Sequence, residues 1–200
     1  MNHLDHYSAL AEMFRYPTDG LKKYTSVWRE IIRNYDTSLI QKLDPFIKHV
    51  HEKPLSVQQE YFISTFDVQA LCYLDVGYIL FGEDFRRGVF LSHIKKEQEL
   101  AGNNCGSELP DHLPNMLTLL PKLKKPDLAE ELIYSVMIPA VDEMILSFRS
   151  IENVYRGLME ILTSIMKKDY PESDFEKFII NERKKSEFVQ CYTRENNNLL

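Results

Sequence analysis

Apolar residues recur every three or four positions along almost the whole chain. Near the N-terminus such a stripe runs from Leu4 to Phe14 and stops at the Tyr-Pro-Thr-Asp-Gly segment of residues 16–20. Two further stripes cover residues 21–35 and 39–50, with Pro45 as a kink or a boundary. No long stretch alternates between apolar and polar residues, as a half-buried strand would. The pattern therefore predicts an all-α fold.

Polar residues at helix ends divide the next part of the chain. Ser56 and Gln59 have the spacing of a capping box, which predicts a helix that begins at Ser56. Asp67 is positioned to cap a following helix that carries Cys72 and ends at Gly82. The next helix should run over residues 84–101 and end at Gly102.

The last third of the chain continues the helical pattern. Asp111 is placed to cap a short helix with Pro114 in its first turn, where a missing N–H costs little. Helices over residues 127–150 and 153–169 follow, and a short one is expected near 175–180. The polar end beyond it predicts disorder. We therefore expect one globular helical domain over residues 1–170 and a partly disordered C-terminal extension over 171–200.

Composition and charge narrow the function classes. The chain of 200 residues is 44% apolar, enough for a sizeable core, and its net charge is −6. That charge disfavours a nucleic-acid-binding protein and favours a basic partner. The chain lacks a cationic start followed by an apolar run, and no apolar stretch is long enough to span a membrane. We expect a cytoplasmic protein without nucleic-acid binding and without direct membrane insertion.

Catalytic and metal-binding motifs are not found in the sequence. The three cysteines are widely separated and form no Cys-x-x-Cys pair, and the histidines near residue 50 lack the spacing of a zinc site. Phosphate-binding and serine-nucleophile loops are also missing. Cys72 falls on an apolar stripe, where a thiol usually acts as a small hydrophobe. We expect no catalytic residue and no metal.

Two polar clusters remain unexplained by simple amphipathic helices. Arg86 and Arg87 stand at the start of a helix, where the dipole disfavours cations, so at least one should pair with Asp67, Asp75 or Asp84. The second cluster is Glu-Leu-Pro-Asp-His-Leu-Pro at residues 108–114. On physics alone Asp111 is as well explained as a helix cap as it is by a binding role. His112 could serve as an acid–base group or as a donor that fixes the loop.

Three segments together resemble one family. They are Tyr-Phe-Ile-Ser-Thr-Phe-Asp at residues 61–67, Gly-Glu-Asp-Phe-Arg-Arg-Gly at 82–88, and the cluster at 108–114. With Phe-Arg-Tyr-Pro at 14–17 and Leu21, the chain is similar from about residue 4 to 168 to the nitrate reductase assembly chaperones, also called nitrate reductase delta subunits. These belong to the wider class of redox enzyme maturation proteins.

The resemblance implies a helical, cofactor-free, non-catalytic chaperone. Its partner would be the N-terminal peptide of a molybdenum-containing catalytic subunit, first of all respiratory nitrate reductase, which it would hold until the cofactor is inserted and before membrane attachment. The resemblance assigns the peptide-binding residues as Glu108, Asp111, His112 and Leu113. It assigns the structural motif residues as Phe66, Asp67, Arg86, Arg87, Gly88, Pro110 and Pro114, with the two arginines stabilising the packing around Asp67. A structural subunit retained in the mature reductase and a small helical hydrolase are the alternatives.

Overall fold

The structure, a computed structural model, describes residues 4–67 and 70–180. Within them all regular structure is helical apart from a single isolated bridge, which confirms the predicted all-α fold. The helices are α1 (His6–Ala11), α2 (Thr25–Tyr35), α3 (Ile40–Glu52), α4 (Leu55–Phe66), α5 (Val76–Phe81), α6 (Phe85–Leu100), α7 (Leu113–Leu119), α8 (Pro126–Glu131), α9 (Ile138–Ser147) and α10 (Val154–Asp169). Short 3₁₀ turns flank α1, α2, α3 and α7, and one π-helical turn, Leu132–Met137, joins α8 to α9.

Helix α10 packs against both α3 and α9, and much of its length is buried. Gly157 permits the close approach to α3, because a Cβ at this position would lie only 2.8 Å from the Lys42 carbonyl oxygen. Around α10 the core is largely aromatic. The rings of Trp28 and Tyr155 both contact Phe46, and Tyr155 lies 4.8 Å from Phe66 between ring centroids. Phe66, predicted as a motif residue, is thus part of the core.

The N-terminal helix is tied to the end of α10 by a polar cluster. The Asp169 carboxylate accepts hydrogen bonds from the Tyr7 hydroxyl at 2.7 Å and from the Tyr35 hydroxyl. The His6 ring nitrogen Nε2 lies 3.1 Å from the same carboxylate. Since α1 also packs against α7, this cluster helps to position the segment that carries the 108–114 motif.

Several predicted helix boundaries are wrong, each for a local reason. Helix α4 begins at Leu55 without a capping box at Ser56, because Gln59 instead donates its amide to the Pro17 carbonyl at 3.1 Å. Asp67 ends α4 rather than starting the next helix, and α5 begins only at Val76. Cys72 is buried as predicted, but in the irregular segment before α5.

The predicted short helix at residues 175–180 is also wrong. That stretch is irregular, and its Phe178 N–H donates to the Ser135 carbonyl of the π-helical turn at 2.9 Å. The polar end at 181–200, for which disorder was expected, lies outside the described residues. Pro45, expected as a kink or a boundary, lies inside the assigned α3.

Candidate functional site

The 108–114 motif lies antiparallel to the segment that leads into α5. Leu113 N–H donates to the Leu74 carbonyl at 2.9 Å, and Val76 N–H donates to the Asp111 carbonyl at 3.1 Å. Asp75 and His112 face each other in this short bridge. Two backbone segments far apart in sequence are thereby fixed side by side at the N-terminal end of α5.

Asp111 is fully buried and caps a helix other than the one predicted. Its Oδ2 accepts from the Gly77 N–H, the second amide of α5, at 2.8 Å. The prediction that Asp111 caps α7 is therefore wrong, since the residue at that cap position is His112 and its side chain makes no capping bond. Pro114 does lie in the first turn of α7, as expected. Asp111 thus stabilises α5 from across the bridge, with both its side chain and its backbone.

Burial raises the pKa of the Asp111 carboxyl above its ordinary value, and the nearby Asp75 carboxylate adds to the rise. The Gly77 N–H and the Arg87 guanidinium act in the opposite direction without reversing it. The second oxygen, Oδ1, has no hydrogen-bond partner among the described residues. A carboxyl in this position carries a cost when it ionises.

A pH experiment follows from that raised pKa. Because the folded pKa exceeds the unfolded value of 3.8, the contribution of protonated Asp111 is fully present below about pH 4 and is lost as the pH rises through the folded value. The Asp111→Asn variant does not titrate. Its free energy of unfolding should therefore increase relative to that of the wild type as the pH rises from about 4 to 8. Urea unfolding at several pH values measures the difference, and a difference that stays constant would contradict the assignment.

His112, Asp75 and Arg87 form a partly exposed polar cluster beside this cap. His112 Nδ1 lies 3.1 Å from Asp75 Oδ1, and an Arg87 guanidinium nitrogen lies 3.6 Å from Asp75 Oδ2. The guanidinium also lies 5.2 Å from the centre of the Tyr78 ring. The side chains of His112 and Asp75 are 18% and 26% exposed, so a partner can reach them. The Asp75 carboxylate fixes the imidazole orientation and leaves Nε2 as the second polar atom of the ring.

The two arginines pair with carboxylates, as the helix-dipole argument predicted. Arg86 contacts Asp84, the residue that caps α6, at 3.2 Å, whereas Arg87 contacts Asp75. The expectation that they stabilise packing around Asp67 is wrong, because Asp67 is exposed at the end of α4 and neither arginine pairs with it in the described part of the chain. Gly88 is exposed on α6, one residue beyond Arg87.

The loop before the motif borders a groove of about 590 Å³ against α6. Leu109 and Pro110 line this groove, and Glu108 is exposed next to them. Buried amides hold the loop in place, since Gln98 donates to the Pro110 carbonyl at 2.8 Å and Asn115 donates to the Leu109 carbonyl at 3.0 Å. The four residues predicted to bind the peptide therefore fall into two groups. Glu108 and His112 are accessible, whereas Asp111 and Leu113 are buried.

Sequence reasoning did not identify two residues of this site. The sequence predicts Asp75 only as a partner for an arginine and not for His112. It predicts no role for Gly77, although a glycine inside an apolar helical stripe indicates a close approach of other atoms. Here a Cβ on Gly77 would lie 2.7 Å from Asp111 Oδ2.

The thiols offer little support for covalent catalysis. Burial raises the pKa of Cys72 to about 12 and also raises that of Cys105, so neither thiol has the lowered pKa of an activated nucleophile. Cys191 lies outside the described residues. Between residues 4 and 180, excluding 68 and 69, no three His, Cys, Asp or Glu side chains form a group that could hold a metal ion. No helix in the same part of the chain is long and apolar enough to cross a membrane.

Comparison with known proteins agrees with the motif resemblance. A probable nitrate reductase molybdenum cofactor assembly chaperone, NarJ, of Bacillus subtilis (strain 168) is 25% identical to the chain over 162 residues. The aligned region covers 80% of this chain and 87% of that relative. The chain is similar in sequence to a nitrate reductase assembly chaperone. This confirms the resemblance that the three motifs predicted. No family model matches the chain.

Proposed function

We propose that the chain is a cytoplasmic assembly chaperone that binds the N-terminal segment of a molybdenum-containing reductase catalytic subunit, first of all respiratory nitrate reductase. It supports cofactor insertion before the reductase attaches to its membrane, and it acts by binding rather than by catalysis. The observation that carries the proposal is the sequence similarity to a probable nitrate reductase molybdenum cofactor assembly chaperone along most of both chains.

The polar cluster at the start of α5 supports a binding role. Glu108 and His112 are accessible and would contact the peptide, whereas buried Asp111 and Leu113 would shape the surface beneath it. Each of the two bridged segments has an exposed apolar side chain nearby in sequence. Tyr73, before α5, is 43% exposed, and Leu109, in the 108–114 motif, is 42% exposed. A basic amphipathic segment could bury apolar groups against them while its cations approach Glu108.

Titration calorimetry tests the assignment with a peptide that copies the N-terminus of the host's nitrate reductase catalytic subunit. Glu108→Gln should weaken binding about twofold to fivefold, because it removes one exposed charge pair. His112→Ala should weaken it about fivefold to tenfold through a lost hydrogen bond. The wild-type affinity should also fall with added salt, since charges at the rim are screened over about 8 to 10 Å.

Glu30→Gln is the matched control, because Glu30 is an exposed acid on α2 outside the motif. It should bind like the wild type. Unchanged affinity in both folded motif variants would remove Glu108 and His112 from the site, and no binding by the wild type would contradict the proposed function. Purification of the mature reductase separates a chaperone, which leaves, from a structural subunit, which remains at a fixed ratio.

A further inference from the structure

Residues 171–180 follow α10 and run back along α8 and the π-helical turn. We refer to residues 173–180 as the strap. Ser173 Oγ donates to the Glu130 carboxylate at 2.6 Å, and the Phe178 N–H donates to the Ser135 carbonyl at 2.9 Å. The strap is therefore attached to the helical body by side-chain and backbone contacts at two separated points.

A proline explains why the Ser135 carbonyl can receive an extended segment. In a regular α-helix this carbonyl would accept from the N–H four residues later, but that residue is Pro139, which has none. The helix adopts a π-helical turn at Leu132–Met137 just before the proline. Such turns are frequent at functional sites. The body thus presents a backbone acceptor to a chain that passes beside it.

Two neighbouring strap side chains contact aromatic rings of the body. The Lys177 ammonium lies 4.6 Å from the centre of the Tyr134 ring, and the Phe178 ring packs edge-on against Phe81 at 4.9 Å between centroids. The body therefore offers three recognition features on one surface: a backbone acceptor, a ring that binds a cation and a ring that packs against an aromatic side chain. Together they recognise an extended peptide in which a cation is followed by an aromatic residue. Phe81 is the last residue of α5, whose first turn is capped by Asp111.

The attachment of the strap is limited to a few side chains. Phe178 and Ile180 are partly buried against the core, whereas Lys177 is exposed and Ile179 is 80% exposed. Segments with few buried contacts and solvent-exposed hydrogen bonds open at low free-energy cost. A ligand with the same recognition features can therefore compete with the strap.

We propose that the strap is a displaceable internal ligand and that the N-terminal segment of the catalytic subunit competes with it for this surface. The inference rests on the proposed function and extends it. For this competition the segment must supply the cation and the aromatic group that Lys177 and Phe178 supply in the free chaperone. Release of the strap then accompanies binding, so that the chaperone binds its client more weakly than the open surface would.

The test uses the full chain, its Phe178→Ala variant and an Ile179→Ala control. Two fluorescent peptides are titrated against each: one copies residues 172–180, and the other copies the N-terminus of the host's nitrate reductase catalytic subunit. Phe178→Ala should bind both peptides at least threefold more tightly than the wild type, because its own strap competes less well. Ile179→Ala should bind like the wild type, and unlabelled catalytic-subunit peptide should displace the strap peptide.

The outcomes separate this inference from the proposed function. Equal binding of the strap peptide to wild type and Phe178→Ala, or binding of the catalytic-subunit peptide without displacement of the strap peptide, overturns the inference and leaves the proposed function standing. Failure of the catalytic-subunit peptide to bind any variant, while the strap peptide still prefers Phe178→Ala, overturns the proposed function and with it the named competitor. Lys177→Gln should show the same direction of change as Phe178→Ala, which guards against a folding defect in one variant.

Discussion

Replacement of Gly77 by alanine should lower the free energy of unfolding by about 1 to 3 kcal/mol, the usual cost of an extra buried methyl group without space. The added Cβ would lie 2.7 Å from Asp111 Oδ2 and 2.9 Å from Phe90 Cδ1. Phe90 can turn away, but Asp111 is held by the Gly77 N–H and is fully buried. Relief of the clash therefore breaks the cap of α5. Urea unfolding followed by far-ultraviolet circular dichroism measures the loss.

Gly88→Ala is the matched control for this prediction. Gly88 also lies within a helix, but nothing lies within 4 Å of the position of its Cβ. Alanine there should raise the free energy of unfolding by about 0.5 to 1 kcal/mol, because glycine costs conformational entropy in a helix interior. If both variants were stabilised, the close approach of Asp111 to Gly77 would be wrong.

The helices were predictable from sequence wherever local rules acted alone. The end of α5 at Gly82 and the stretch from Asp84 to Gly102 follow from a cap and from glycines with positive φ, which are properties of a few consecutive residues. Periodicity failed at residues 70–75. There Cys72 and Leu74 are buried, but the backbone at residues 74–76 pairs with the distant 111–113 segment instead of continuing a helix.

The candidate site was predictable by residue type and not by contact. The motif drew attention to Asp111 and His112, yet their partners, Gly77 and Asp75, lie more than thirty residues earlier in the chain. A capping aspartate looks the same in sequence whether it caps its own helix or another one. Only the antiparallel pairing of the two segments places the Asp111 carboxylate at the first turn of α5 and the His112 ring beside Asp75.

The strap is a second case in which tertiary contacts, and not local sequence, decide the structure. An apolar run near the C-terminus fits a short amphipathic helix, but the π-helical turn offers a backbone acceptor and aromatic rings to an extended chain. Pro139 is the local reason for that acceptor, and it stands nearly forty residues before Phe178. The extended conformation of the strap therefore depends on tertiary contacts that override its weak helical propensity.

Replacement of Asp169 by alanine should cost about 2 to 4 kcal/mol of stability, since a buried donor left without its acceptor costs about 1 to 3 kcal/mol and two tyrosine hydroxyls are affected. Tyr7 is wholly buried, and its hydroxyl donates to Asp169 at 2.7 Å. Loss of the carboxylate also releases His6 and so loosens α1 from the end of α10. Asp44→Ala is the control, because that carboxylate is 51% exposed and its pair with Arg29 should be worth about 1 kcal/mol or less.

The pH dependence of the stability of wild type and Asp169→Ala tests why the variant loses stability. Burial alone would raise the pKa of Asp169, but the hydrogen bonds from His6, Tyr35 and Tyr7 outweigh it and leave the pKa below its ordinary value of 3.8. Stability from this group is thus present above about pH 4 and is lost as the pH falls through the lower folded value. Acid unfolding should narrow the gap between wild type and Asp169→Ala below pH 4. A gap that is equally wide at pH 7 and pH 2 would show that lost packing, rather than the ionised carboxylate, holds α1 in place.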